Sequence, residues 1–332
     1  MDMKNIAVCG VGNIGRVHVS NLLSLRGCRV TGIFDTHSQQ LEQVSRELSV
    51  RPYSSWQNLL EDPELDAVVI ATPAASHRKL CSSALAAGKH VFLEKPLANT
   101  LEDSIAILEA QDSAKQQVLQ IGFCERFNVA YLEAKRAVDE GRLGAILAMQ
   151  TSRWAPYQYS DPSWELGVYD TAAHNIDLIL WLKGKRPRSV LARGTRVYED
   201  TDIPHFCTTV IAFDDGSIAV DTIAWVRKER HPLSECSESA MFIQGNLGSF
   251  RVDHSSRPAS FLNDQRFRAM DTVILGGPEY YGCLKLQLDH FLGAIGEELP
   301  PRATAREAFE AEKVVLAAVE SLKTGQEVAL HR

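Results

Sequence analysis

A strand-like run, Ile6 to Cys9, passes directly into Gly10-Val11-Gly12-Asn13-Ile14-Gly15, and a segment of helical period, Gly15 to Leu25, follows. Glycines at this spacing, in a strand-to-helix turn, permit few structures. The first allows a tight turn, the second lets the backbone approach a pyrophosphate, and the third lets the helix pack closely. The helix N-terminus adds unsatisfied N–H groups and a favourable dipole for an anion. Twenty residues after Gly15, the next strand-like run closes on Gly32-Ile33-Phe34-Asp35. A carboxylate there can accept hydrogen bonds from the adenosine ribose hydroxyls, and it repels a 2′-phosphate. The competing reading is a plain glycine turn followed by a surface aspartate; spacing, strand context and the acidic residue together point to a dinucleotide instead. NAD is expected rather than NADP, although Thr36-His37-Ser38 softens that preference.

The same alternation continues to residue 123. Arg29 to Phe34, Ala67 to Ala71, His90 to Leu93 and Val118 to Gly122 are strand-like, and Ser38 to Leu48, Ser76 to Ala87 and Leu101 to Ala114 are helical in period. Strands joined by helical crossovers predict a parallel sheet covered on both faces. After a helical stripe at Leu132 to Glu140 the pattern changes. Ala145 to Trp154, Ser189 to Val197, Cys207 to Phe213, Ser217 to Val226, Ala240 to Ile243 and Ser249 to Asp253 read as strands, with Asp214-Asp215-Gly216 as a hairpin turn. Helices are expected at Asp170 to Leu182, Tyr281 to Glu297 and Thr304 to Lys323, and a polar loop at Val252 to Asp271. The expected organisation is an α/β domain over 1–123 and an α+β domain with an open, mostly antiparallel sheet over 124–332. The C-terminal helix is free to pack back on the first domain.

The chain has 332 residues, a size for two domains. Lys+Arg 35 against Asp+Glu 42 gives a net charge of −7, the wrong sign for nucleic acid or an anionic membrane. Its seven cysteines are scattered without a CxxC pair, and no HExxH occurs, so no metal is expected. No apolar stretch nears a membrane span and no leader precedes Ile6, which predicts a cytoplasmic protein with a small-molecule substrate.

Two further strands end in Ala71-Thr72-Pro73 and Glu94-Lys95-Pro96-Leu97. With the glycine turn, these motifs resemble the glucose-fructose oxidoreductase / inositol dehydrogenase family, and the resemblance spans nearly the whole chain. It implies a Rossmann domain, a second domain on an open sheet, a nicotinamide cofactor, and hydride transfer at a sugar, cyclitol or nucleotide-sugar carbon. Strand ends are also where open α/β sheets bind ligands. Both arguments put Thr72, Pro73, His77, Glu94 and Lys95 beside the cofactor, with Gly10, Gly12, Asn13, Ile14, Gly15 and Asp35. Lys95 can polarise a carbonyl as negative charge develops, where an isolated lysine would be a solvated cap. The resemblance also implies an unusual, often cis, peptide before Pro96.

The second constellation is Asp170-Thr171-Ala172-Ala173-His174-Asn175-Ile176-Asp177, in which Asp170, His174 and Asp177 share one helical face. Imidazole beside a carboxylate suits proton exchange with a hydroxyl. Read alone, Asp170 could be an N-cap and His174 an ordinary histidine; the resemblance carries both over, with Lys95, as catalytic and substrate-binding residues. Asp177 serves either a structural or a functional role. Arg126, in Glu125-Arg126-Phe127-Asn128, is a further substrate-binding candidate. That segment and the Asp-x-Ala-x-His pattern look like the branch acting at position 3 of UDP-N-acetylglucosamine, but Phe123, Val129 and Asn175 depart from it, the last where an aspartate is usual. Trp154 and Tyr157, with Tyr159, Trp164, Tyr280 and Tyr281, could stack on a sugar ring or fill a lid. Arg257, Arg266 and Arg268 could hold an anion or be solvated. A glycosidase using tightly held NAD, and a dinucleotide sensor without catalysis, are the alternatives on the same fold; retention of Lys95 and His174 favours the dehydrogenase. An uncovered apolar face on the second sheet predicts a homodimer or homotetramer.

Overall fold

The computed structural model describes residues 3–156, 166–197, 204–227, 238–253, 259–263, 266–270, 282–296 and 299–330. Its chain divides into two compact units, Met1–Phe127 with Ile274–Phe309, and Asn128–Val273 with Glu310–Arg332.

In the first unit, β1 (Lys4–Cys9), β2 (Cys28–Phe34), β3 (Ala67–Ile70), β4 (His90–Leu93) and β5 (Leu119–Ile121) form a parallel sheet in the order β2-β1-β3-β4-β5. All four residues of β3 are buried, as a strand with helices on both faces requires. Crossovers run through α1 (Asn13–Ser24), α2 (Ser38–Leu48), the short α3 (Trp56–Leu60), α4 (His77–Ala86) and α5 (Leu101–Ser113). The helix α3 lacks a long periodic stretch and was not expected; Ser55 caps it by accepting a hydrogen bond from the Asn58 N–H. The chain leaves β1 toward β2 on one side and β3 toward β4 on the other, so the strand order reverses beside β1 and β3. A dinucleotide-binding crevice belongs at such a reversal.

A helix from the far end of the chain, α8 (Cys283–Ile295), belongs to this unit. Its Leu288, Phe291, Leu292 and Ile295 join Val19, Leu22 and Phe92 in one core, each contributing roughly 2 kcal/mol of burial. The buried Gln120 side chain fixes its position, donating to the Gln287 carbonyl and meeting His290 Nδ1 at 3.0 Å. A single cut after residue 123 therefore misplaces α8: its apolar face has a ready-made groove on α1.

The second unit holds β6 (Ile146–Pro156), β7 (Pro187–Thr195), β8 (Phe206–Phe213), β9 (Ile218–Arg227), β10 (Glu238–Gly245), β11 (Ser249–Asp253), β12 (Ala259–Asn263), β13 (Arg266–Met270) and β14 (Val328–Ala329). They form a mixed sheet in the order β13-β12-β11-β10-β6-β9-β8-β7-β14. Most neighbours are antiparallel, but β6 and β9 run parallel. The expected polar loop from 252 to 271 instead contains β12 and β13, whose antiparallel ladder pairs Ala259 with Met270 and Asn263 with Arg266. Arginines in this segment hid a strand pattern that backbone pairing sustains. The helices are α6 (Val129–Asp139), α7 (Tyr169–Lys183) and the body of α9 (Ala305–Thr324). α7 lies on β6 and β9. Strand β8 alternates cleanly: Cys207, Thr209, Ile211 and Phe213 are buried, and Phe206, Thr208, Val210 and Ala212 are half-buried on the other face. Among the described residues no helix is long and apolar enough to cross a membrane.

Candidate active site

The glycine turn closes β1 at the strand-order reversal. Gly10 has φ +87°, and a Cβ there would lie 2.5 Å from the Ala71 carbonyl oxygen and 2.8 Å from Thr72 Cγ2. The loops after β1 and β3 are therefore in contact, which only glycine permits. A Cβ on Gly15 would fall 1.9 Å from the Gly10 oxygen, whereas one on Gly12 would meet nothing closer than Gln40 Nε2 at 3.8 Å. The turn is closed at its first and third glycines and open at its second, as close approach of a pyrophosphate requires. Asn13 and Ile14 open α1, so their N–H groups belong to its unsatisfied first turn. The Asp35 carboxylate accepts from the N–H groups of Val11 and His37, both at 2.8 Å. Asp35 thus braces the turn at the edge where a ribose would rest. These residues fit NAD.

The Lys95–Pro96 peptide is cis. Glu94, just before it, is buried; its Oε1 accepts from His18 Nε2 on α1 (2.6 Å) and its Oε2 from the Lys95 N–H (3.1 Å). A Cβ on Gly122 would sit 2.8 Å from that carboxylate. Glu94 is thus a brace between α1, β5 and the Lys95 backbone. His77 is fully buried, with Nε2 2.9 Å from the Thr72 carbonyl oxygen and Nδ1 2.9 Å from that of Pro96. Burial lowers its pKa against the pull of those carbonyls. Both ring nitrogens face the backbone, so His77 ties together the two loops expected to meet the cofactor. Thr72 Oγ1 shares a hydrogen bond with Ser76 Oγ, next to Pro73 at the start of the same turn.

Arg126 is 1% exposed, and its Nη1 donates to the Arg302 carbonyl (2.8 Å) and to Glu307 Oε1 (2.9 Å). Burial would raise the Glu307 carboxyl, but Arg126 beside it holds it below the ordinary range. Glu307 also accepts from the Thr304 N–H while Thr304 Oγ1 accepts from the Glu307 N–H, a capping box on α9. This placement makes Arg126 an internal anchor, which a sequence cannot distinguish from a substrate contact.

In the second unit the helix begins at Tyr169 after an N-cap at Val168, so Asp170 stands inside the first turn and is not the cap. Asp170 and Asp177 are buried and His174 is half-buried. Tyr169 Oη and Thr209 Oγ1, 2.7 Å apart, pin the start of α7 to the sheet. Trp154 is not on this side. Arg153 points toward α7, so Trp154, its neighbour in a strand of period two, faces away and packs against Phe206 at 5.7 Å. The structure does not bring Trp154 to the His174 helix. Tyr157, Tyr159, Trp164, Arg257, Tyr280 and Tyr281 lie outside the described residues, as do the side chains of Arg266 and Arg268.

A buried group beneath α7 escaped sequence reasoning. Arg153 Nε donates to Asn175 Oδ1 (3.1 Å), Asn175 Nδ2 to Asp221 Oδ1 (2.7 Å), and Thr151 Oγ1 to the same oxygen (2.6 Å). The available signal was a charge in phase with core positions: Asp221 lies between the inward-facing Ala219 and Ile223. Among the described residues no cluster of three or more His, Cys, Asp or Glu could hold a metal. Burial pushes the thiols of Cys9, Cys81 and Cys207 up to about 12, so they stay protonated.

Residues 4–123 match the model of an oxidoreductase family with an NAD-binding Rossmann fold, and residues 131–251 match the GFO/IDH/MocA C-terminal domain. The chain belongs to the GFO/IDH/MocA family. It is an NAD-dependent oxidoreductase of the dehydrogenase type. Among its relatives is a scyllo-inositol 2-dehydrogenase (NAD(+)) from Bacillus subtilis (strain 168), 29% identical over 98% of this chain and 95% of that one. The scyllo-inositol dehydrogenase from Lactobacillus casei, solved with NAD(H) and scyllo-inositol, shares the fold at TM-score 0.84, with 22% identity and 99% of each chain covered. A UDP-N-acetylglucosamine 3-dehydrogenase from Acidithiobacillus ferrooxidans superposes at TM-score 0.82, with 25% identity over 97% of this chain and 99% of that one.

Proposed function

We propose that this GFO/IDH/MocA protein oxidises a secondary hydroxyl of a cyclitol to the ketone. NAD supplies the hydride acceptor. The observation that carries the reading is the α7 face, where half-buried His174 stands one turn from each of two buried carboxylates, Asp170 and Asp177. His174 takes the hydroxyl proton, and a neighbouring carboxylate orients the ring and stabilises its cationic form. Lys95, held at its backbone by Glu94, donates a hydrogen bond to the same oxygen in both directions, and in the reverse, reductive direction His174 returns the proton. A cyclitol is favoured over a nucleotide sugar by the full-length similarity to the Bacillus subtilis inositol enzyme, and by the engagement of Arg126 with Glu307 and the Arg302 carbonyl. The test is NADH formation with scyllo-inositol, myo-inositol, glucose and UDP-N-acetylglucosamine. Preference for an inositol supports the assignment, and preference for the nucleotide sugar overturns the substrate class.

A further inference from the structure

The Arg153–Asn175–Asp221–Thr151 cluster lies within the second unit and grips the residue after His174. β6 and β9 are parallel neighbours, in register at Thr151 with Asp221. Asp221 is fully buried, and its Oδ1 accepts from Thr151 and Asn175 while Oδ2 has no donor among the described residues. Other groups facing it are Arg153 from β6, Tyr169 from α7, and Cys207 and Thr209 from β8. A guanidinium only donates, so the Asn175 amide must turn its oxygen to Arg153, which leaves its NH2 for the carboxylate. An aspartate at 175 would serve Arg153 equally well but would set two carboxylates 2.7 Å apart. The asparagine at 175 is thus matched to Asp221.

We propose that Asn175 and Asp221 are a matched pair of positioning residues for His174. Arg153 and Thr151 fix the outer ends, the amide–carboxylate bond fixes the centre, and together they set the rotation of the α7 turn that presents the imidazole. Complementarity lies in one amide facing one carboxylate, so exchanging the two should preserve it. The inference rests on His174 being the proton-transfer group.

A double-mutant cycle tests this on the full chain, with H174A as the reference. With scyllo-inositol and NAD near pH 8, N175D should lower kcat by roughly 30-fold with the NAD Kd within about twofold, the size expected for a directly contacting pair. The exchanged variant N175D/D221N should recover to within about fivefold of wild type. The N175D deficit should shrink near pH 5.5, as one of the facing carboxyls takes up a proton. The His174 imidazole NMR resonance, which needs no substrate, should move in N175D and return in the exchanged variant. Should N175D not fold, N175A is read instead, with a fall in kcat at nearly constant KM. Wild-type kcat in N175D, or a folded exchanged variant no better than N175D, overturns the proposal. If H174A keeps wild-type activity, the proton-transfer reading of His174 fails instead, which separates the two failures.

Discussion

Replacing Asp221 by asparagine should stabilise the second unit, increasingly so as pH rises. Burial pushes this carboxyl from 3.8 up to about 6, against the lowering effects of Thr151, Asn175 and Arg153. A raised pKa means that the folded state prefers the protonated form. Its stabilising contribution is whole below the unfolded pKa and is lost as pH climbs through about 6. Two pH units at 1.36 kcal/mol each correspond to about 3 kcal/mol. Asparagine keeps the shape and an acceptor for Thr151 and Asn175, and it does not titrate. The unfolding free energy of D221N minus that of wild type should therefore increase by about 2.4 kcal/mol between about pH 4 and about pH 8. Urea titrations followed by tryptophan fluorescence suit the measurement, because four of the five tryptophans lie beyond residue 150. A difference that is flat with pH, or that falls as pH rises, would show that Asp221 is not a desolvated carboxylate. The same variant should turn over more slowly than wild type, since the charge costing stability holds Asn175 and Arg153 in place.

Asp35→Ala should raise the Kd for NAD by about tenfold or more and relax discrimination against NADP, because it removes both the ribose acceptor and the brace on Val11 and His37; an unchanged NAD/NADP ratio would place the ribose elsewhere. Lys95→Ala should lower kcat by about 100-fold while NAD affinity stays within about tenfold, and near wild-type kcat would end its assignment. Gly15→Ala should abolish NAD binding in calorimetry, given a Cβ 1.9 Å from the Gly10 oxygen. Val210→Asp, on the half-buried face of β8, should split a dimer or tetramer into monomers in light scattering before NAD binding is affected; a wild-type monomer at micromolar concentration would refute the oligomer itself.

The cofactor half of the molecule is legible because its instructions are local. Gly10, Gly12, Gly15 and Asp35 lie within one βαβ unit, and the crossover pattern dictates a parallel sheet. The Asp170–His174–Asp177 face is readable for the same reason, as a helical period fixes it. What could not be read depends on partners distant in sequence. Pairing of β6 with β9 joins residues about 70 apart, and the place of α8 follows from the groove that Val19 and Leu22 offer to Phe291 and Leu292. Arg126 reads in sequence as a candidate ligand contact, and its partners Glu307 and the Arg302 carbonyl lie more than 170 residues away. Arg153, Asn175 and Asp221 come from three elements and form a group only once β6, α7 and β9 are packed.

The most direct test of the account is NADH production from scyllo-inositol and NAD, measured with wild type, Lys95→Ala and His174→Ala side by side. Steady turnover by wild type, reduced by about 100-fold or more in each variant with NAD affinity retained, is the predicted result. NAD binding without turnover of any inositol or sugar, or variants as active as wild type, would contradict it.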